Sequence, residues 1–277
     1  MGPDMNTVAR IIAEVAAQHI LPRFRHLGSH DIELKGPDDP VTVADRDAER
    51  ALSARLAALL PGSGVVGEEL CSRDSGVLGQ LLRQDDVWVI DPLDGTRNFI
   101  AGTSAFATMV ALVRNGETIG AWIHAPVSQD TLVCEHGGGL WLNGERLNLA
   151  AAAEPVAPLC LMGPKLRTKL LGLEPASLAG SLPRLENTCA ASFDYARLFS
   201  GSTHFGASLA PRATCLLFRK AKPWDHLPGL LMVRELQGYA ASWNGAPYSP
   251  QRSPDPLLVA PDRDQWHELR ELLGPFI

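Results

Sequence analysis

Val87-Trp88-Val89-Ile90 is an apolar run of strand length that stops at Asp91-Pro92. Such a run, bounded by turn residues, predicts a buried strand, and this one delivers a carboxylate at its end. Pro92 turns the chain, so Asp94, three residues on, can point back to the same spot as Asp91. Gly95 allows close approach of the backbone to a ligand. Thr96 adds a hydroxyl, and an amide at a helix start, where anions are favoured. Two carboxylates, a glycine and a hydroxyl between Asp91 and Thr96 suit a hard, oxygen-seeking cation holding a phosphate. Plain turn chemistry is the competing local reading of Asp91-Pro92 and Asp94-Gly95.

The strand belongs to a half that reads as α+β. Val8, Ile11, Ile12, Val15 and Ile20 recur at helical spacing and predict a helix from about Asn6 to Phe24, with Pro22 marking its end. A second helix runs from about Val43 to Leu60, with Thr42 as its N-cap and Pro61-Gly62 as its stop. Val65-Val66 is a short strand leading to Gly67-Glu68-Glu69. Ala105 to Arg114 and Thr118 to Ile123 are strands joined by the hairpin signal Asn115-Gly116. Thr131 to Cys134 continues the meander, and Asn143-Gly144 marks another tight turn. Helices beside a mostly antiparallel sheet follow from this order.

An Ala- and Pro-rich stretch, Ala150 to Pro158, suggests a crossing to a second half that alternates strand and helix. The strands are Leu159 to Met162, about Leu216 to Arg219, and Leu257 to Ala260. The helices are near Leu166 to Leu171, about Ala190 to Ser200, about Asp225 to Gln237, and Gln265 to Leu273. The expected organisation is an α+β unit over 1–150 and an α/β unit over 151–277.

The 277 residues suffice for one large domain or two that share a core. A net charge of −6 argues against a broad nucleic-acid-binding face. It leaves room for a phosphorylated substrate, because cations held by carboxylates supply local positive charge. Cys71, Cys134, Cys160, Cys189 and Cys215 are odd in number with no C-x-x-C pair, which predicts reduced, mostly buried thiols. No signal-like start and no membrane-length apolar run are evident, so a cytoplasmic protein is expected.

Three further features carry acidic groups, each with a local explanation. Glu68 and Glu69 follow a short strand, as exposed glutamates often do. Thr42 and Asp45 have capping-box spacing at a helix start. Asp225, in Trp224-Asp225-His226, opens a helix and reads as an N-cap, with Pro228 in the first turn. In this order and spacing the four together resemble the inositol monophosphatase family of Mg²⁺-dependent phosphomonoesterases, a group that includes fructose bisphosphatases and bisphosphate nucleotidases. Asp91-Pro92-Leu93-Asp94-Gly95-Thr96 with Asn98-Phe99 matches the family's central motif. Gly67-Glu68-Glu69, Val41-Thr42 with Asp45 and a preceding Lys35, and Trp224-Asp225 with Gly238 match the others. The hairpin from Gly137 to Gly144 is also similar to the family's.

The resemblance implies a layered αβαβα sandwich and two to three Mg²⁺ ions. Glu68, Asp91 and the carbonyl of Leu93 would hold one ion, and Asp91, Asp94 and Asp225 a second; a third would share Glu68. Thr96, hydrogen-bonded to Asp45, would orient and help deprotonate the attacking water, and the amides of Gly95 and Thr96 would grip phosphate oxygens. Family members usually form dimers, so a homodimer acting on a small phosphorylated metabolite, with neither nucleic acid nor membrane as partner, is expected. No covalent intermediate is implied, which leaves the cysteines as core packing. His226 is not expected as a ligand, His124, His136 and His204 lack metal spacing, and Trp88, Trp122 and Trp243 read as core.

The departures cluster on the substrate side. Inositol-phosphate-preferring members carry an acidic residue seven positions before the C-terminal motif aspartate, where this chain has Phe218, followed by Arg219 and Lys220. The family's Gly-Ser/Thr-Ala-Ala signature reads Cys189-Ala190-Ala191-Ser192 here, although Asp194 and Gly201 fit, and Ser202 to Thr214 is longer than the usual connection. Arg219 and Lys220 would suit a more anionic substrate if they face it. Three readings follow: an inositol-phosphate-like monoesterase, a sugar bisphosphatase or 3′(2′),5′-bisphosphate nucleotidase on the same scaffold, and a binding protein without catalysis.

Overall fold

A computed structural model of the protein describes residues 2–82, 85–147, 159–163, 165–168, 184–199, 205–206, 212–250 and 256–274. The Ala150 to Pro158 crossing, His204, Gly201 and most of Ser202 to Thr214 lie outside them. The first helix, α1 (Met5–Val15), is capped by Asp4, which accepts from Thr7 N at 2.8 Å. It does not continue unbroken to Phe24. The path widens into a π-helical turn at Ala16–Ile20 and tightens into a 3₁₀ turn at Leu21–Arg23. Pro22 has no amide to donate, so the regular ladder fails one turn below it, and Arg23 Nη1 instead donates to His19 O at 2.7 Å. A hairpin of β1 (Ile32–Gly36) and β2 (Asp39–Thr42) leads to α2 (Val43–Leu59), where Thr42 and Asp45 form the expected capping box.

A seven-stranded sheet follows: β3 (Gly64–Gly67), β4 (Val87–Asp94), β5 (Ala107–Arg114), β6 (Glu117–Ala125), β7 (Asp130–Glu135), β8 (Gly139–Leu142) and β9 (Glu145–Arg146), in that spatial order. β3 and β4 are parallel and every later pair is antiparallel. Both Asn-Gly pairs turn with positive φ at each residue, 52° and 79° at 115–116 and 51° and 85° at 143–144, as tight hairpins require. The short helices α3 (Glu68–Arg73) and α4 (Thr96–Ile100) leave the ends of β3 and β4.

The second half supplies β10 (Leu159–Met162), β11 (Arg184–Glu186), α5 (Ala191–Phe199), β12 (Cys215–Phe218), α6 (Pro223–Glu235), β13 (Tyr239–Ser242), β14 (Leu257–Ala260) and α7 (Arg263–Leu273). Its five strands lie in the order β11-β10-β12-β14-β13. Of the helix expected near Leu166 to Leu171, residues 165–168 are helical and the rest lies outside the described residues.

Strand alternation builds the layers. Trp88, Ile90, Val110, Leu112 and Trp122 pack under α1 and α2. Met109, Ala121 and Ile123, on the other face, share a core with α5, α6 and Leu159, Leu161, Leu216, Leu257 and Val259 of the second sheet. The alternate residues Cys160, Met162, Cys215, Leu217, Leu258 and Ala260 face Trp266 and Leu273 of α7. The result is a layered αβαβα sandwich. Trp88 and Trp122 are fully buried as expected, while Trp243 is half-buried.

Cysteine pairing overturns one expectation. Cys160 and Cys215 form a disulfide. They are direct register partners across the parallel pair β10/β12, with Cα atoms 4.6 Å apart, so sheet pairing brings together residues separated by 55 positions. Cys71 and Cys134 are buried thiols, whereas Cys189 is exposed and therefore not core. The N-cap reading of Asp225 also fails. α6 starts two residues earlier, at Pro223 with Lys222 as N-cap, because Pro223 has the φ that a first helical position needs. Asp225 lies inside that first turn, and Pro228 falls beyond it.

Candidate active site

β4 continues past Ile90 to Asp94, with a bulge. Asp91 pairs with Met109 and Asp94 with Ala107, so three steps on β4 face two on β5. Residues three apart on a regular strand point to opposite faces; the extra residue turns Asp91 and Asp94 to one side. Thr108 Oγ1 holds the bulge through Pro92 O at 2.9 Å. α6 brings Asp225 from the second half. One oxygen from each of Asp91, Asp94 and Asp225 lies within 4.8 Å of the others, with Asp91 and Asp94 buried. Among the described residues this trio could hold a metal ion.

Asp94 is gripped by the start of α5. Its Oδ1 accepts from Ala191 N at 3.1 Å, and its Oδ2 from Ser192 N at 2.7 Å and Ser192 Oγ at 2.5 Å. Gly95 caps α4 at φ 86°, and a Cβ there would sit 2.8 Å from Ala105 O and 3.1 Å from Ala190 Cβ. Thr96 Oγ1 lies 3.0 Å from both Asp45 Oδ1 and Leu93 O. Asp45 Oδ2 accepts from Thr42 N at 2.8 Å and Thr42 Oγ1 at 2.5 Å. The capping box and the threonine contact therefore share one carboxyl. Glu68 stands outside the trio. Lys35 Nζ, from β1, binds Glu68 Oε1 and Glu69 Oε1 at 2.7 Å each.

Burial, followed by the mutual repulsion of Glu68, Asp94 and Asp225, holds Asp91 well above the usual carboxylate range. Burial, then Asp94, pushes Asp225 up to about 7, with Lys222 and Lys35 offsetting only part of it. Burial raises Glu68 to about 8 against the pull of Lys35, and Asp45 to about 6. Crowded, buried oxygens with this unmet repulsion fit a divalent cation. A consequence for pH follows. Without metal, the folded state keeps protons that unfolded carboxylates release near 3.8 to 4.5, so the trio and Glu68 favour folding at low pH and lose that contribution as pH rises towards about 8. A bound cation reverses the penalty only where the groups are ionised. The Mg²⁺-induced rise in unfolding midpoint is therefore expected to be larger at about pH 8 than at about pH 5. Thermal melts in EDTA and in Mg²⁺ check this, and equal increments would count against a cation among these carboxylates.

On the substrate side, Phe218 is buried, stacked on Tyr195 at 5.6 Å and tilted against His226 at 4.4 Å. Arg219 and Lys220 are exposed in the turn between β12 and α6. His226 is buried, with Nδ1 3.2 Å from Tyr195 Oη and Nε2 3.3 Å from Lys220 O; burial lowers it to about 4. His124 is likewise buried, against Thr131 Oγ1 at 2.8 Å. Sequence reasoning met Asn98 and Ser192 only as parts of motifs and gave them no role, and it passed over Glu49. Asn98 Nδ2 ties Ala105 O and Thr188 O at 2.6 and 2.8 Å. Glu49, four residues after Asp45 on α2, could have been found from helical spacing alone.

The profile of the inositol monophosphatase family matches residues 4–273. The chain belongs to the inositol monophosphatase family. It is 31% identical over 233 residues, 83% of this chain and 82% of the other, to the inositol-1-monophosphatase of Rhizobium meliloti. It is 28% identical over 222 residues, 79% of this chain and 78% of the other, to the fructose-1,6-bisphosphatase/inositol-1-monophosphatase of Thermotoga maritima. In fold it resembles a Thermotoga maritima IMPase structure with a TM-score of 0.76 at 22% identity, covering 98% of each chain. Members of this family are metal-dependent phosphatases, typically using Mg²⁺, and this member is a phosphoric monoester hydrolase.

Proposed function

We propose that this family member releases phosphate from a small polyol phosphate of the inositol phosphate kind, using two to three Mg²⁺ ions. The observation that carries the reading is the convergence of Asp91, Asp94 and Asp225 within 4.8 Å beside the Thr96–Asp45 contact. Asp91, Asp94 and Asp225 would hold one ion. Glu68, Asp91 and the Leu93 carbonyl would hold another, Glu68 sharing its charge between that ion and Lys35. Such ions, when bound, neutralise phosphate charge and make a neighbouring water more acidic.

The protein's own groups do the rest. Asp45, fixed by Thr42, accepts from the Thr96 hydroxyl, which orients the attacking water and passes its proton towards Asp45. The amides of Gly95 and Thr96 grip phosphate oxygens, a role that the left-handed Gly95 supports by keeping side-chain atoms away. A homodimer belongs to the same reading: Leu34 and Leu82 are 72% and 70% exposed on the single chain.

A second reading, a bisphosphate substrate, is supported by exposed Arg219 and Lys220 next to α6 and by Phe218 in the place of an acidic residue. The test is phosphate release, with and without Mg²⁺, from inositol 1-phosphate, fructose 1,6-bisphosphate and a 3′,5′-bisphosphate nucleotide. Mg²⁺-dependent turnover with the highest kcat/KM on inositol 1-phosphate is expected. A bisphosphate preferred by about tenfold, a difference of about 1.4 kcal/mol, would select the second reading.

A further inference from the structure

α3 begins without a cap of its own. Its N-cap residue, Gly67, has no side chain to meet the first amides of the helix. The acceptor comes from another helix. Glu49 Oε2 accepts from Glu69 N at 2.8 Å. Glu49 is 7% exposed and sits on α2 one turn beyond Asp45, on the same face.

Gly67 makes room for it: a Cβ there would fall 2.3 Å from Glu49 Oε2 and 2.4 Å from its Cδ. The φ of Gly67 is −107°, which any residue adopts, so the glycine is needed for the approach of Glu49 and not for backbone freedom. Burying a carboxylate is costly unless it is hydrogen-bonded. Here its bond goes to the backbone amide one residue past Glu68.

We propose that Glu49 is a positioning residue for Glu68. It anchors the first turn of α3 from behind, while Lys35 holds the Glu68 and Glu69 side chains from the other side. One face of α2 then organises two parts of the site: Asp45 sets Thr96, and Glu49 sets the backbone that presents Glu68 to Asp91 and Asp225. The inference rests on the proposed function, in which Glu68 is a Mg²⁺ ligand.

The test is calorimetric titration of Mg²⁺ into the full chain and its Glu49→Ala, Glu49→Gln and Gly67→Ala variants. Phosphate release against Mg²⁺ concentration and melting in EDTA are measured beside it. Glu49→Ala and Gly67→Ala are each expected to weaken Mg²⁺ binding about 10-fold, as loss of a group supporting a metal ligand does. At saturating Mg²⁺, substrate KM and kcat should stay within about 2-fold of the parent, a split that general loosening of the fold would not produce. Glu49→Gln keeps an acceptor oxygen and should restore most of the affinity. Adding Gly67→Ala to Glu49→Ala should cost nothing more, since both act through one contact.

A folded Glu49→Ala protein that binds Mg²⁺ like the parent overturns the proposal. Should Glu49→Ala fail to fold, parent-like Mg²⁺ binding by Gly67→Ala overturns it equally. A parent protein that gives no Mg²⁺ signal at all overturns the proposed function, and this inference with it.

Discussion

Asp94→Asn is expected to lower kcat/KM about 10³-fold, the scale seen when one group stabilising transition-state charge is removed. That corresponds to about 4 kcal/mol of lost stabilisation. The reason lies in the donors around it. Asp94 receives Ala191 N on one oxygen and both Ser192 N and Ser192 Oγ on the other. An asparagine can offer an oxygen to only one side, so its amide N–H groups must face a donor, and the charge that would hold a cation is gone. Stability should move the opposite way. In EDTA the variant removes a carboxylate whose burial outweighs the help of its donors, and relieves its repulsion of buried Asp91 and half-buried Asp225. These gains exceed the cost of the mismatched amide, so its melting midpoint should equal or exceed that of the parent. Phosphate release with Mg²⁺ and melting in EDTA check both halves. Activity lost together with a midpoint several degrees lower would mean that Asp94 is structural, and retained activity would remove it from the site.

Replacing both Cys160 and Cys215 by alanine is expected to cost about 4 kcal/mol, the loop-closure value for a disulfide enclosing this length of chain. The bond joins residues 55 positions apart at the centre of the five-stranded sheet, where both side chains are fully buried against α7. Little of that loss should reach the catalytic constants, because the pair faces the α7 side of the sheet, away from the α5–α6 layer that carries Ser192 and Asp225. Urea unfolding of the parent and the double variant gives the difference. Thiol labelling provides a direct check. With no reductant, native protein should label at Cys189, and denatured protein at Cys71, Cys134 and Cys189. Labelling of all five in denaturant would show that the bond is absent.

This disulfide marks where reading from residues runs out. Strand alternation places Cys160 and Cys215 on one face of their strands, but which strand lies beside which is not written in either segment. β10 and β12 are separated by β11 and α5 in the chain and become neighbours only in the sheet. The exposed Cys189 and the early start of α6 have a similar origin: a lone cysteine carries no burial signal, and Pro223 outweighs Asp225 as a helix start. The break in α1 was legible in Pro22, but its position one turn earlier depends on how the carbonyls beneath the proline find partners.

The hairpins at Asn115-Gly116 and Asn143-Gly144, the capping box of Thr42 and Asp45, and the strand that ends in carboxylates were all readable, because each rests on dihedral preferences and hydrogen bonds spanning a few residues. The bulge that turns Asp91 and Asp94 to one side, the arrival of Asp225 from α6, the Ser192 grip on Asp94 and the carboxylate of Glu49 behind Gly67 were decided elsewhere. They join segments tens of residues apart, and such contacts take their distances from packing, where strand register and helix rotation set which atoms meet. Residue type and spacing thus named the chemistry; close packing of the layers set its geometry.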